Sequence, residues 1–178
     1  MNYYKEQERL RNGSHSDEVP DGAGLVRFVI TCPNNSSDVL TRAREVLESI
    51  LCHSGGDWPA DERWREVLPS WFVSTCAPDM TNEEAAHWLG WWRSLPFEKQ
   101  AQAEREKKWT LSNWIYWFNP EERQWYWWDA SITSPSSFEV VVEVKQWPVP
   151  WGSLNWLLRA SGADTVEIAP APRSGTPG

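Results

Sequence analysis

The chain carries 25 acidic and 17 basic side chains in 178 residues, for a formal charge of −8. A chain of this length suits one domain with a sizeable buried core, and its negative charge repels phosphate backbones and anionic lipid, which argues against nucleic acid or a membrane surface as partner. No apolar run approaches the roughly 20 residues of a membrane helix, and the start MNYYKEQERLRNGSHSDEVPDG lacks the basic-then-apolar order of a secretory signal, so a cytoplasmic protein is expected.

Residues 1–22 mix both charges with few large aliphatics and read as a loose arm, because such a segment buries too little to offset the entropy of ordering it. Leu25 to Thr31 (LVRFVIT) is β-branched and aromatic, and Cys32-Pro33-Asn34-Asn35 ends it, which predicts a strand and a turn. Ser36 and Ser37 then offer N-caps to an amphipathic helix on which Val39, Leu40, Ala43, Val46, Leu47, Ile50 and Leu51 share one face. Gly55-Gly56 closes it.

Several short helices are expected between residues 58 and 118. Thr81 and Glu84 form a capping box, with Ala85, Trp88, Leu89 and Trp92 on one face of the helix that follows. Pro96 opens another helix, and a third carries Trp114, Trp117 and Phe118 up to a stop at Asn119-Pro120. Period two then takes over. Gln124 to Ile132 and Phe138 to Lys145 read as paired strands joined through Thr133-Ser134-Pro135-Ser136-Ser137. Both sides of the first strand carry large aromatics (Trp125 and Trp127 against Tyr126 and Trp128), which asks for cover on both faces, with the inserted helices as the expected second cover. Trp151 to Ser161 is a helix capped by Gly162, and Asp164 to Ala169 is a last strand. The sum is one α+β domain over residues 23–169, with a ferredoxin-like β-α-β-β-α-β order, a helical insertion over 58–118 and a flexible tail over 170–178.

Chemical motifs are sparse. Cys32, Cys52 and Cys76 are odd in number and widely spaced, which suits reduced thiols rather than a disulfide framework. Cys52, His53, Cys76 and His87 lack the paired spacing of a structural zinc site, so no metal is expected, and Cys32 and Cys52 read as small buried hydrophobes. No serine stands in a G-x-S-x-G context and no phosphate-cradling glycine loop follows a strand. No cofactor and no catalytic residue is assigned, and a non-enzymatic role is expected.

Charge and tryptophan carry more. Between Gly55 and Glu84, Asp57, Asp61, Glu62, Glu66, Asp79, Glu83 and Glu84 face only Arg63 and Arg65, and Trp58, Trp64 and Trp71 are interleaved with them. Negative charge to steer an encounter and aromatics to anchor it suit a basic protein partner, with Asp57, Asp61, Glu62, Trp64, Glu66 and Trp71 as the expected contacts. The plainer account is a solvated face over a core built from the fifteen tryptophans. Trp147-Pro-Val-Pro-Trp151 is the best candidate for an exposed aromatic loop.

The strings WLGWWRSLPFEKQAQAE, WTLSNWIYWFNPEERQWYWWD and PVPWGSLNWLLRASGA resemble those of small uncharacterised Trp-rich actinobacterial proteins. That resemblance implies no activity and no site residue. The leading expectation is a non-enzymatic protein-binding module for a basic partner; by analogy of class alone, acidic single-domain proteins include immunity proteins that neutralise basic toxins, and an immunity or antitoxin-like inhibitor is one form such a module could take. The alternative is a small-molecule site, enzymatic or not, between the sheet and the inserted helices, lined by Trp88, Trp92, Trp125 and Trp127 and suited to an apolar or cationic ligand.

Overall fold

The computed structural model describes residues 3–15, 17–56 and 58–170, so Asp57 and nearly all of the expected tail lie outside the described residues. In chain order the elements are α1 (Tyr3–Asn12), β1 (Gly24–Thr31), α2 (Ser36–Leu51), α3 (Asp61–Val67), α4 (Ser70–Thr75) and α5 (Asn82–Ser94). There follow α6 (Phe97–Glu106), α7 (Leu111–Tyr116), β2 (Trp125–Ser134), β3 (Ser137–Val144), α8 (Gly152–Ser161) and β4 (Thr165–Ile168).

The four strands form one sheet in the order β2-β3-β1-β4 with every neighbouring pair antiparallel, and the chain is α+β as its patterning predicts. Alternation sorts the side chains: Phe138, Val140, Val142 and Val144 of β3 are buried, as are Phe28 and Ile30 of β1. The seven apolar residues at helical spacing on α2 are buried with them, and Leu154, Leu157 and Leu158 bring α8 into the same core. α8 ends at Gly162, whose φ of 117° lets its N–H bond Arg159 O while Ala163 N–H reaches back to Leu158 O. No helix is long and apolar enough to cross a membrane among the described residues.

Residues 1–22 do not form a loose arm throughout. α1 packs against β2 and α2, and Glu6, Arg9 and Leu10 are buried. β2 is an edge strand, and the Trp127 N–H, unused by the β2–β3 ladder, donates to Glu6 Oε1 at 2.7 Å. A carboxylate delivered by a helix thus closes a sheet edge that would otherwise stand open. Arg9 lies over the Trp128 ring, 3.8 Å from its centroid, and pairs with Glu18 at 2.8 Å. Cover for Trp128 therefore comes from the N-terminal helix, while Trp125 is covered as expected from the inserted segment, by Phe118 at the end of α7 with ring centroids 5.4 Å apart. The arm was misread because a count of aliphatics ignores polar groups that fit a specific buried partner.

The inserted helices divide into two parts. Trp64, Leu68 and Phe72 of α3 and α4, with Leu111, Trp114, Ile115 and Phe118 of α7 and its end, join the core. Trp114 stacks 4.5 Å from both Phe72 and Phe118, and its Nε1 donates to Ser153 O at 2.9 Å. In contrast, α5 has the expected capping box but no buried residue, so its Ala85, Trp88, Leu89 and Trp92 face is not core. Instead α5 and α6 pair with each other, through Trp92 Nε1 donating to Gln100 O at 3.3 Å.

Candidate functional site

The ends of the α5–α6 excursion are brought together where Ala77 N–H donates to Trp109 O at 2.9 Å and Ala77 bridges Thr110. Thr110 caps α7 by accepting from Asn113 N–H at 3.3 Å. Trp109 and Trp117 consequently emerge at the two ends of that short helix. Trp151, just before α8, packs on Phe28 of the sheet with centroids 5.3 Å apart. Together with Trp88 of α5 these half-buried indoles wall a cavity of about 600 Å³.

Its polar lining is small: Glu104 and Lys107 from α6 and its end, Asn113 from α7, and Ser153 and Asn155 from α8. The Lys107 ammonium sits 3.5 Å from the Trp88 ring centroid and makes no ion pair or hydrogen bond among the described residues. Burial pushes its pKa below the usual lysine value, against the pull of the nearby Glu104 charge. Ser153 is fixed from behind, its Oγ accepting from Trp125 Nε1 at 2.9 Å. One wall is thus anchored to the core and the opposite wall belongs to the α5–α6 hairpin.

Gly152 sets how closely Trp109 lies on the start of α8. A Cβ there would stand 2.9 Å from Trp109 Cζ2, a rigid ring atom that cannot swing aside as a flexible tip could. Gly152→Ala is expected to cost about 1–3 kcal/mol by overpacking. Urea unfolding with a near-ultraviolet spectrum checks it: a variant as stable as the parent, with unchanged aromatic signals, would show that the ring has room to move.

The residues expected to meet a protein partner are divided by the structure. Asp61, Glu62 and Glu66 are exposed on α3, while Trp64 on the opposite face is fully buried between Trp58 (4.8 Å) and His53 (5.5 Å). Trp64 is therefore core and no anchor, because the helical period that turns the acids outward turns the indole in. Trp71 is half-buried, its Nε1 donating to Glu45 at 3.2 Å and its ring 5.5 Å from the Arg42 guanidinium carbon. Asp61 and Glu62 border a smaller cleft of about 230 Å³ in which Arg65 pairs with Asp79 at 2.8 Å, so local charge is partly neutralised.

Of the expected ligand-pocket tryptophans only Trp88 lines the cavity. Trp92 is turned toward α6 as described, and Trp125 and Trp127 are buried core residues of β2. The pocket lies between the hairpin, α7 and the start of α8, and not between the helices and the sheet. Trp109, Trp117, Trp151 and Lys107 line the cavity although spacing gives no reason to place them there. A usable signal was present for two of them, since a tryptophan before an N-cap threonine and another just past the same short helix must flank it.

Other reactive groups stand apart from the cavity. His53 Nδ1 is 3.0 Å from Ser49 O, His87 is exposed, and burial pushes the Cys76 thiol up. Cys52, expected to be buried, is exposed at the end of α2. No group of three or more His, Cys, Asp or Glu placed to hold a metal ion occurs among the described residues. In comparison with known proteins, no family model, no curated protein and no solved structure matches the chain.

Proposed function

We propose that the chain is a small-molecule-binding protein whose site is the cavity between the α5–α6 hairpin, α7 and the start of α8. The observation that carries this is the cavity itself: about 600 Å³ walled by four indoles and only a few polar side chains. Ligand sites of roughly 300–1,000 Å³ have this makeup of apolar walls with sparse orienting groups. Flat π faces favour a planar, largely apolar ligand of one or two fused rings. The protein-binding reading is weaker, because burial of Trp64 leaves Asp61, Glu62 and Glu66 as charge without the aromatic anchor that such contacts need. The sheet order, with α2 and α8 packed in its core, supports a ferredoxin-like β-α-β-β-α-β arrangement as the scaffold that holds the anchored wall.

Calorimetric titration with a neutral planar probe, 2-naphthamide, tests the site. Saturable binding that weakens about tenfold in Trp88→Ala is expected, since that change removes one aromatic wall of the cavity together with the ring on which Lys107 rests, a loss of about 1.4 kcal/mol. Trp88 belongs to a helix without buried residues, so the variant should keep its fold. Absence of binding, or equal binding by the variant, would remove this reading.

A further inference from the structure

Resting on that site, we infer that its ligand is a planar aromatic acid, and that Lys107 is the residue that selects the carboxylate. Lys107 stands in the cavity wall, and its ammonium, with three N–H donors, has no hydrogen bond and no ion pair among the described residues. The Trp88 face 3.5 Å away partly satisfies its charge but none of its donors. Glu104 also lines the wall and its charge reaches the ammonium, but the two form no ion pair among the described residues. A partly buried ammonium with no protein acceptor among the described residues, set beside the indoles of Trp109, Trp117 and Trp151, is complementary to one kind of molecule. The rings occupy the indoles and the carboxylate takes a charge-assisted bond from Nζ.

Competing ligands fit less well. A cationic aromatic would suit the indoles but would bring a second positive charge beside Lys107, and a neutral one would leave the ammonium as it is. The formal charge of −8 opposes an incoming anion only at long range. Physiological salt screens exposed charges beyond about 8 Å, so inside the cavity the nearest cation decides.

The test compares three isosteric probes by calorimetry on the full chain: 2-naphthoate, 2-naphthamide and 2-naphthylmethylammonium. In the parent, naphthoate is expected to bind at least about tenfold more tightly than the amide, the usual advantage of a hydrogen bond to a charged group. Lys107→Met should abolish that preference while the amide still binds saturably, which also shows that the cavity is intact. Lys107→Arg should retain most of it. Equal binding of acid and amide by the parent, tightest binding of the ammonium probe, or an undiminished preference in Lys107→Met would each overturn the inference while the amide still reports a working cavity. Failure of all three probes would remove the cavity reading and the inference together.

Discussion

Arg123→Met is expected to destabilise the protein by about 3–5 kcal/mol, the cost of breaking a buried ion pair from one side. Both partners are fully buried, with Arg123 Nη2 donating to Glu6 Oε1 at 2.5 Å and Arg123 Nε donating to Trp125 O at 3.1 Å. The guanidinium lies among the rings of Tyr126, Phe118 and Trp125, at 4.7, 5.3 and 5.6 Å. Methionine fills much of that space and forms no bond to the carboxylate, so the loss falls on Glu6. Burial already pushes the Glu6 carboxyl above its ordinary value, and Arg123 is the strongest influence holding it down. In the variant that restraint is gone and the folded-state value climbs further above the unfolded one. A carboxyl raised on folding favours the folded state below its unfolded value and loses that contribution as pH rises. The deficit should therefore be largest near neutral pH and shrink as the pH falls toward about 5.

Urea unfolding at the two pH values measures both. A deficit under about 1 kcal/mol at neutral pH would mean that the pair is solvated in solution. The double change Glu6→Leu with Arg123→Met should recover much of the loss, since apolar replacement of a whole buried pair is often close to neutral. The Trp127 N–H would then lose its acceptor, which limits the recovery.

This pair also explains where the sequence was legible. β1, β3, α2 and α8 each bury a face whose period is written in their own residues, and their positions follow within a residue or two, except that α2 ends at Leu51, short of the Gly55-Gly56 expected to close it. α1 offers only Leu10 to the core, because its other anchors are a carboxylate and a guanidinium whose partners, Arg123, Trp127 and Trp128, lie in β2 and just before it, and Glu6 and Arg123 are 117 residues apart. Nothing local marks Glu6 as buried. The α5 stripe errs the other way: Trp88 and Trp92 have core spacing, but periodicity says that a face is apolar and not that anything covers it. The cavity was hidden for a related reason. Its walls come from α5, both ends of α7 and the approach to α8, and contacts such as the Ala77–Thr110 pairing and the Trp114–Ser153 bond bring them together.

The same division of the inserted helices predicts that the hairpin can be removed without unfolding the protein, at the expense of its binding. Residues 81–106 hold α5 and α6, and none of their described side chains is buried. The flanking chain is fixed independently, by Ala77 N–H on Trp109 O and by the Arg65–Asp79–Ser112 contacts at 2.8 and 2.7 Å. Replacing 81–106 with a short Gly-Ser linker is therefore expected to change stability by about 1 kcal/mol or less, as for surface changes that touch no buried group. Thermal unfolding should remain one cooperative transition. The excision takes away Trp88, Ala101 and Glu104, which is the outer wall of the cavity, and leaves Trp109, Trp117 and Trp151 open to water. Stacking on an open face loses both the second ring and the exclusion of solvent, so affinity for 2-naphthamide should fall at least about tenfold. Loss of the cooperative transition would make the hairpin part of the fold. Undiminished binding would place the ligand elsewhere on the molecule, whereas a stable chain that no longer binds is the result that a hairpin acting as the cavity's detachable wall requires.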